Sequence, residues 1–326
     1  MLSRVADTLF WLGRYVERAE NYSRFIDVNY NLCMDLPPGL KEQWEPLVAA
    51  TGDRDVFVKQ FGKNFTRENV IFFLAFDTEN PNAIISTISQ ARENARMVRE
   101  SIPKESWESL NALYYEVQNA KKKKTWQKED PHDFFEFIKN QVHMFNGIAS
   151  SNAPRTQAWY FTQIGIQIER ADKTSRILDV KYHYLLPSLD EVGSPLDFLH
   201  WTALLKSVSA FNAYKHLYQN IQPEHIVNYL ILNRYFPRSI FFCLSEVEEA
   251  LHEISGSKKS FSNAAEREIG SLRSKLEYSD VKDILNQGLH EYLDDIQLRL
   301  NQISSAIHEQ YFKIQPNFTG QVQSQL

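Results

Sequence analysis

Apolar residues recur at alternating spacings of three and four along two long stretches of the chain, which predicts two long amphipathic helices. The first stripe covers residues 9–33 and the second covers residues 161–185. Each helix is expected to span about 30 residues, or roughly 45 Å. Prolines at Pro37, Pro38 and Pro187 are expected to end them.

Shorter segments show the same helical periodicity, and none shows the alternation typical of a strand. The pair Asn80-Pro81 is a start signal for one of these helices. The expected helical segments cover residues 84–102, 107–117, 134–145, 198–217, 237–254, 264–276 and 292–312. The pattern therefore predicts an all-α fold.

The two long stretches are also alike in sequence. When Gly13 is aligned with Gly165, nine of the 18 positions up to Tyr30 are identical. A weaker match follows in the same order, between residues 68–89 and 224–245. These matches predict a tandem-duplicated helical bundle, in which two related units of about 150 residues pack into one globular body. Chance similarity of two amphipathic helices is the alternative.

The expected units are residues 1–152 and residues 153–326. Hydrophobic residues make up 43% and charged residues 24% of the chain, which is typical of a globular protein. The net charge of −5 gives no reason to expect nucleic-acid binding. No apolar stretch is long enough to span a membrane. The N-terminus becomes charged too early for a signal peptide, so a cytoplasmic location is expected.

Charged residues are retained between the two long stretches, although surface charges have no obvious reason to stay identical after a duplication. The retained residues are Glu17, Arg18, Glu20, Arg24 and Asp27 in the first stretch, and Glu169, Arg170, Asp172, Arg176 and Asp179 in the second. Positions 13, 17, 20, 24 and 27 form one stripe beside the apolar seam. Such a stripe is compatible with structural ion pairs, with a surface that binds a peptide or carboxylate ligand, or with acid–base catalysis.

Two further features accompany the stripe. Gly13 and Gly165 lie inside predicted helices, where glycine costs about 1 kcal/mol relative to alanine. Their retention indicates either close helix packing or proximity to a ligand, and close packing is the simpler interpretation. The second feature is a charged face at Arg92, Glu93 and Arg96, which is either a solvated helix surface or an anion-binding face of the first half.

No motif for a metal, a phosphate loop or a nucleophile is present in the sequence. The nine histidines are scattered along the chain. Cys33 and Cys243 lie inside apolar helical patterns in different halves, which favours buried thiols over a disulfide or a metal site. Neither a metal nor another cofactor is expected.

The segments ADTLFWLGRYVERAENYSRFID, QARENARMVRES and IGIQIERADKTSRILD resemble the bacterial alpha-E family, long labelled a domain of unknown function. The resemblance covers nearly the whole chain and implies an all-helical fold. It also implies a context, because members are typically encoded beside, or fused to, an ATP-grasp protein and a transglutaminase-like protein. That context implies a role in forming or processing amide bonds on peptides.

Two functional hypotheses follow. In the first, the chain is a non-catalytic helical partner that docks an ATP-grasp-type ligase or a transglutaminase-like protein, or presents their substrate. In the second, it is an enzyme whose Glu–Arg stripe performs acid–base or transfer chemistry on a peptide or another carboxylate substrate. The second hypothesis requires Glu17 or Glu169 to lie beside a cavity with a raised pKa.

Overall fold

The computed structural model describes residues 1–36, 42–127, 130–184, 194–257 and 260–313. Within these ranges all regular secondary structure is helical and no strand is present. The predicted all-α fold is confirmed. None of the described helices has the length and apolar content needed to cross a membrane.

The first half begins with the longest helix, which carries the first apolar stripe. Its helices are α1 (Ser3–Met34), α2 (Glu45–Thr51), α3 (Arg54–Phe61), α4 (Arg67–Ile71), α5 (Ile84–Met97), α6 (Lys104–Lys122) and α7 (His132–Asn152). A π-helical turn (Phe72–Phe76) continues α4 directly.

The second half repeats this order of long and short helices. Its helices are α8 (Gln157–Tyr184), α9 (Pro195–Ser207), α10 (Phe211–Leu217), α11 (Pro223–Leu232), α12 (Ile240–Ser255), α13 (Ala264–Glu277), α14 (Val281–Gln287) and α15 (Leu289–Ile307). A second π-helical turn (His308–Phe312) follows α15, and α14 stands in the order where the described part of the first half has only a short 3-10 turn (Thr125–Gln127). The order is the one that a duplication would leave, while the duplication itself and the boundary at residue 152 stay predictions.

Local sequence signals set several helix ends. Ser194 and Ser239 each accept a hydrogen bond from the backbone N–H three residues later, and Pro195 occupies the first position of α9. Gly256 ends α12 in the left-handed conformation, with φ of 76°, which a residue with a side chain rarely adopts.

α1 and α8 lie side by side at the centre of the fold and make its most extensive helix–helix contact. They run in the same direction, because their contacts advance together from Gly13 beside Thr162 to Tyr22 beside Lys173. The apolar stripes are buried in this arrangement from Leu9 to Tyr30 in α1 and from Phe161 to Leu178 in α8. The two seams that the sequence predicted therefore belong to one central pair.

The other helices surround this pair. α5 and α7 pack on α1, while α12 and α15 pack on α8. The short helices cross over between the halves: α2 contacts α8, and α9 contacts α1. One continuous apolar core therefore joins described residues of both halves.

Some helices differ from the periodicity-based expectation. The segment 198–217 is broken into α9 and α10, because Ser209 takes a left-handed φ of 53° between them. The short helices α2, α3, α4, α11 and α14 were not predicted, since five to ten residues give too few turns for a clear period. The prolines Pro37, Pro38 and Pro187 lie outside the described residues.

Candidate functional site

The two glycines retained between the long helices face each other across the α1–α8 contact. A Cβ atom on Gly13 would overlap the carbonyl oxygen of Thr162, and one on Gly165 would overlap that of Phe10. The relation is reciprocal, because Phe10 and Thr162 occupy aligned positions. The interpretation of these glycines as sites of close helix packing is confirmed.

The two Glu–Arg dipeptides next to the glycines pair with each other across the same contact. Arg18 donates from Nε and Nη2 to the two carboxylate oxygens of Glu169, at 2.7 and 2.9 Å. Arg170 donates in the same way to Glu17, at 2.9 Å for both bonds. Each arginine therefore makes a bidentate pair with the glutamate of the other helix, and both carboxylates are fully buried.

Arg238, which directly precedes the capping residue of α12, adds a second guanidinium to Glu17. Its Nη1 donates to Glu17 Oε1 at 2.9 Å, and its Nη2 donates to Glu20 Oε2 at 3.1 Å. The other oxygen of Glu20 is ion-paired with Arg24 one helical turn later. We call this group the Glu17 cluster, and its members are Glu17, Glu20, Arg24, Arg170 and Arg238.

The matched carboxylates on α8 receive their additional cations differently. Arg14 donates to Glu169 at 2.8 Å, and the Lys173 ammonium lies 3.5 Å from Glu169 and 2.9 Å from Asp172. Arg176 completes the group with a 2.9 Å bond to Asp172. We call this group the Glu169 cluster, and its members are Arg14, Arg18, Glu169, Asp172, Lys173 and Arg176.

Both central glutamates are held in the ionised form. Burial acts to raise the pKa of Glu17, but Arg170 and Arg238 overcome it and lower the pKa to about 2. Burial is likewise overcome at Glu169, where Arg18, followed by Lys173, holds the pKa well below its usual value. A general acid requires a raised pKa, so the direction of both shifts argues against this role for the two glutamates.

The two aspartates at the end of the retained stripe each bind a histidine. Asp27 Oδ1 lies 2.6 Å from Nδ1 of His132 at the start of α7, and Asp179 Oδ1 lies 2.7 Å from Nδ1 of His290 at the start of α15. The hydrogen bond to the aspartate raises the pKa of each histidine. Lys139 donates a further bond of 2.6 Å to Asp27. These pairs attach the last turns of α1 and α8 to the final long helix of each half.

The arginine face of α5 lies apart from the charged core. Glu93 accepts hydrogen bonds from Arg92 at 2.9 Å and from Arg96 at 2.8 Å. The Arg92 guanidinium also stacks on the rings of α6, 4.7 Å from the centre of Tyr114 and 5.6 Å from that of Trp107. Arg92 is thereby fixed in place, while Arg96 stays exposed.

A groove of about 720 Å³ lies between α12 and α13, the counterparts of α5 and α6 in helix order. Gly270, Ser271 and Ser274 line its α13 side, and Glu248 and Glu249 line its α12 side. Between α5 and α6, by contrast, the Arg92 guanidinium lies against the rings of Trp107 and Tyr114. The two halves present different surfaces at this position.

The predicted binding residues therefore fall into three places. Along the α1–α8 pair, buried or half-buried, are Glu17, Arg18, Glu20, Arg24, Glu169, Arg170, Asp172 and Arg176; towards the C-terminal ends of these helices are Asp27 and Asp179; on the α5 surface are Arg92, Glu93 and Arg96. In the described part of the chain, no three or more histidine, cysteine or acidic side chains come together in a way that could hold a metal ion.

The partners of this site that sequence reasoning missed include Arg14, His132, Lys139, Lys173, Arg238 and His290. Lys173 and Arg238 replace Asn21 and Asn82 at aligned positions, so a comparison of retained residues passes over them. The two histidines are retained, but insertions in the second half bring their separation to 158 residues, against 152 for the aspartates that they bind. A comparison at a fixed offset of 152 therefore does not align them.

The amino-acid sequence is similar to those of several known proteins. An uncharacterized protein of Mycobacterium bovis is 21% identical over 332 residues, which cover 94% of this chain and 35% of the relative. Uncharacterized proteins of two Mycobacterium tuberculosis strains are 21% and 20% identical over the same length. The chain thus spans about a third of the length of these relatives. No solved structure matches it.

A family model for a predicted alpha-helical domain with a conserved ER motif matches residues 1–312. The chain carries that dipeptide twice, at Glu17-Arg18 and at Glu169-Arg170, where the two copies bind each other across the central helix pair. The chain belongs to the Alpha-E family.

Proposed function

We propose that the chain is a non-catalytic helical partner, or a substrate-presenting subunit, of a bacterial system that forms or processes peptide amide bonds. Its partners in this proposal are an ATP-grasp-type ligase and a transglutaminase-like protein, and the complex works in the cytoplasm. The single observation that carries the proposal is the reciprocal pairing of the two Glu–Arg dipeptides. The glutamates that could act as general acids or bases are instead bound to arginines that join α1 to α8.

The state of the reactive groups supports the same proposal. Glu17 and Glu169 have lowered pKa values and accept bidentate bonds from arginine, which leaves them unsuited to donate a proton. Cys243 lies beside the Glu17 cluster, but burial raises the pKa of its thiol to about 12. A thiol in that state is a poor nucleophile near neutral pH.

The size of the relatives also supports a partner role. The chain corresponds to about a third of each mycobacterial relative, so in those proteins the helical domain is joined to a longer polypeptide. A domain that builds its own core and occurs beside other segments is suited to docking.

The α5–α6 surface is the docking face in this proposal. It combines the exposed side chains of Arg96, Met97 and Tyr115 with the Arg92 stack beneath them. Arginine and aromatic residues are enriched at the energetic centres of protein interfaces. Glu93 neutralises part of the charge, so we expect the partner to contribute an acidic or amide-rich segment.

Co-purification tests the partner role directly. The chain and the ATP-grasp-type ligase of this proposal are expressed together, and the ligase reaction is measured with and without the chain. We expect a complex of the two proteins and a ligase output that depends on this chain. A ligase that works equally well without it, together with the absence of a complex, contradicts the proposal.

A matched pair of variants locates the docking face. Arg96→Glu is expected to weaken the complex, because it reverses the charge of an exposed residue on α5. Arg267→Glu on α13 is the control, since Arg267 has a similar exposure on the opposite half. If the two substitutions weaken the complex equally, the α5–α6 surface is not the docking face. Turnover by the purified chain alone, lost in Glu17→Gln or Glu169→Gln, would favour the enzyme hypothesis instead.

A further inference from the structure

Arg24 is a buried guanidinium with an unused donor. Only 4% of its side chain is exposed, and it is ion-paired with Glu20 on the same helix. Its Nη1 group is fully enclosed and finds no hydrogen-bond partner in the part of the chain that the structure describes. A buried donor without a partner costs about 1–3 kcal/mol, and more when the group is charged.

The Glu17 cluster around Arg24 carries an excess of positive charge. Three guanidinium groups, those of Arg24, Arg170 and Arg238, share the two carboxylates of Glu17 and Glu20. Burial, followed by the charge of Arg238, lowers the pKa of Arg24. An uncompensated charge in a protein interior is strongly destabilising. An additional negative group at this position would remove that cost.

Other charges around Arg24 do not supply this group. A further carboxylate, Glu246 on α12, interacts with Arg170 from a half-buried position. The charges that act on Arg24, beyond its ion pair with Glu20, are those of Arg238, Glu17 and Arg170. Two of these three are positive.

The matched arginine on α8 provides a comparison. Arg176 pairs with Asp172 as Arg24 pairs with Glu20, but 26% of its side chain is exposed. Arg176 is therefore partly open to solvent, whereas the unused donor of Arg24 is enclosed. The two aligned arginines thus differ in their exposure to solvent.

His143 on α7 contacts the Glu17 cluster and is itself exposed to solvent. His143 Nε2 lies 3.4 Å from Glu20 Oε1, and 57% of the His143 side chain is exposed. Burial, followed by the charges of Arg24 and Arg238, lowers the pKa of His143, which favours a neutral ring at this position.

We propose that Arg24 and Arg238, beneath the ring of His143, form a binding site for an oxyanion, namely a carboxylate or a phosphate group. Guanidinium groups recognise both anions through paired N–H donors. The ligand would accept a hydrogen bond from the unused Nη1 group of Arg24. Its negative charge would compensate the excess positive charge of the Glu17 cluster. The site belongs to the first half alone, because Arg176 already contacts solvent and Asn82 stands where the second half has Arg238.

Thermal unfolding tests the site with defined probes. The full chain is melted in sodium phosphate and in sodium acetate, each compared with sodium chloride at equal ionic strength, and inorganic phosphate is also titrated calorimetrically. We expect a saturable rise in melting temperature with at least one of the two oxyanions. The anion that gives the rise identifies the class of ligand. Equal melting curves in all three salts would overturn the proposal.

Two matched variants assign the effect to Arg24. Arg24→Met should weaken binding at least about tenfold, the equivalent of one charge-assisted hydrogen bond. Arg176→Met should leave binding unchanged, although it removes the aligned arginine. Binding that both variants retain, or that both lose to the same extent, would contradict a site at Arg24.

A third variant keeps the test decisive if Arg24→Met does not fold. His143→Glu places a tethered carboxylate where the ligand is expected. We expect this variant to melt at a higher temperature than the unaltered protein in chloride and to lose its response to phosphate and acetate. A lower melting temperature with the anion response intact would show that the cluster has no place for another negative charge.

Discussion

The Glu17 carboxylate accepts two parallel hydrogen bonds from the Arg170 guanidinium, each 2.9 Å long. Arg18 and Glu169 make the same contact in the opposite direction across α1 and α8. The conserved dipeptide of this family thus has a structural role here, because each copy supplies the acceptor for one pair and the donor for the other. Packing at Gly13 and Gly165 brings the helices close enough for both pairs to form.

The first prediction concerns the glycines at the helix crossing. Gly13→Ala or Gly165→Ala should destabilise the protein by about 1–3 kcal/mol, because the added methyl group overlaps a backbone carbonyl that cannot move independently. Urea unfolding measures the change. Gly147→Ala on α7 is the control, since its added Cβ meets no atom within 4 Å and helix propensity should stabilise the variant by about 0.5–1 kcal/mol.

The second prediction concerns acid. The pKa of Glu17 is lowered from 4.5 to about 2, so its contribution to stability is complete above pH 4.5 and is lost as the pH falls towards 2. Glu17→Gln should reduce stability at pH 7 and should flatten the decline between pH 4.5 and 2. Urea unfolding at several pH values measures both effects. An unchanged slope in the variant would show that Glu17 is not held ionised by its arginine partners.

The third prediction concerns the two aspartate–histidine pairs. Hydrogen bonds that His132 and His290 donate to Asp27 and Asp179 raise the pKa values of the two histidines above 6.5. A raised pKa gives stability that is complete below pH 6.5 and is lost as the pH rises through the folded value. The double variant His132→Gln and His290→Gln should therefore show a weaker loss of melting temperature between pH 6 and pH 9.

The unaltered protein is the reference for that comparison, because His143 contributes with the opposite sign. Its pKa is lowered, so its neutral form favours folding at higher pH. Because His143 is present in both proteins, its contribution cancels when the pH profile of the variant is subtracted from that of the unaltered protein. Identical pH profiles for the two proteins would mean that the aspartate–histidine contacts make no net contribution.

Much of the fold follows from local sequence. The apolar spacing predicts both long helices, and the i,i+4 spacing predicts the ion pair of Glu20 with Arg24. The retained glycines predict close packing, because glycine destabilises a helix relative to alanine and is kept where a larger side chain would not fit. These features depend on residues within a few turns of one another, which periodicity and spacing describe well.

The site depends on contacts that no local pattern contains. Arg238 reaches Glu17 across 221 positions of the chain, and His290 reaches Asp179 across 111. Comparison of the two long stretches identified the carboxylates but offered no means of choosing their partners. It also left open whether the stripe was structural or exposed to a ligand, because burial is a property of the assembled core.

The reciprocal pairing of the Glu–Arg dipeptides is tested most directly by a double-mutant cycle on Glu17 and Arg170. The free energy of unfolding is measured in urea for Glu17→Gln, for Arg170→Gln and for the double variant, with the exposed pair of Glu93 and Arg96 as the reference cycle. We predict a coupling energy of about 1–3 kcal/mol for the buried pair and below about 1 kcal/mol for the exposed pair. A buried pair whose coupling is no larger than that of the exposed pair would contradict the structural role of the family motif.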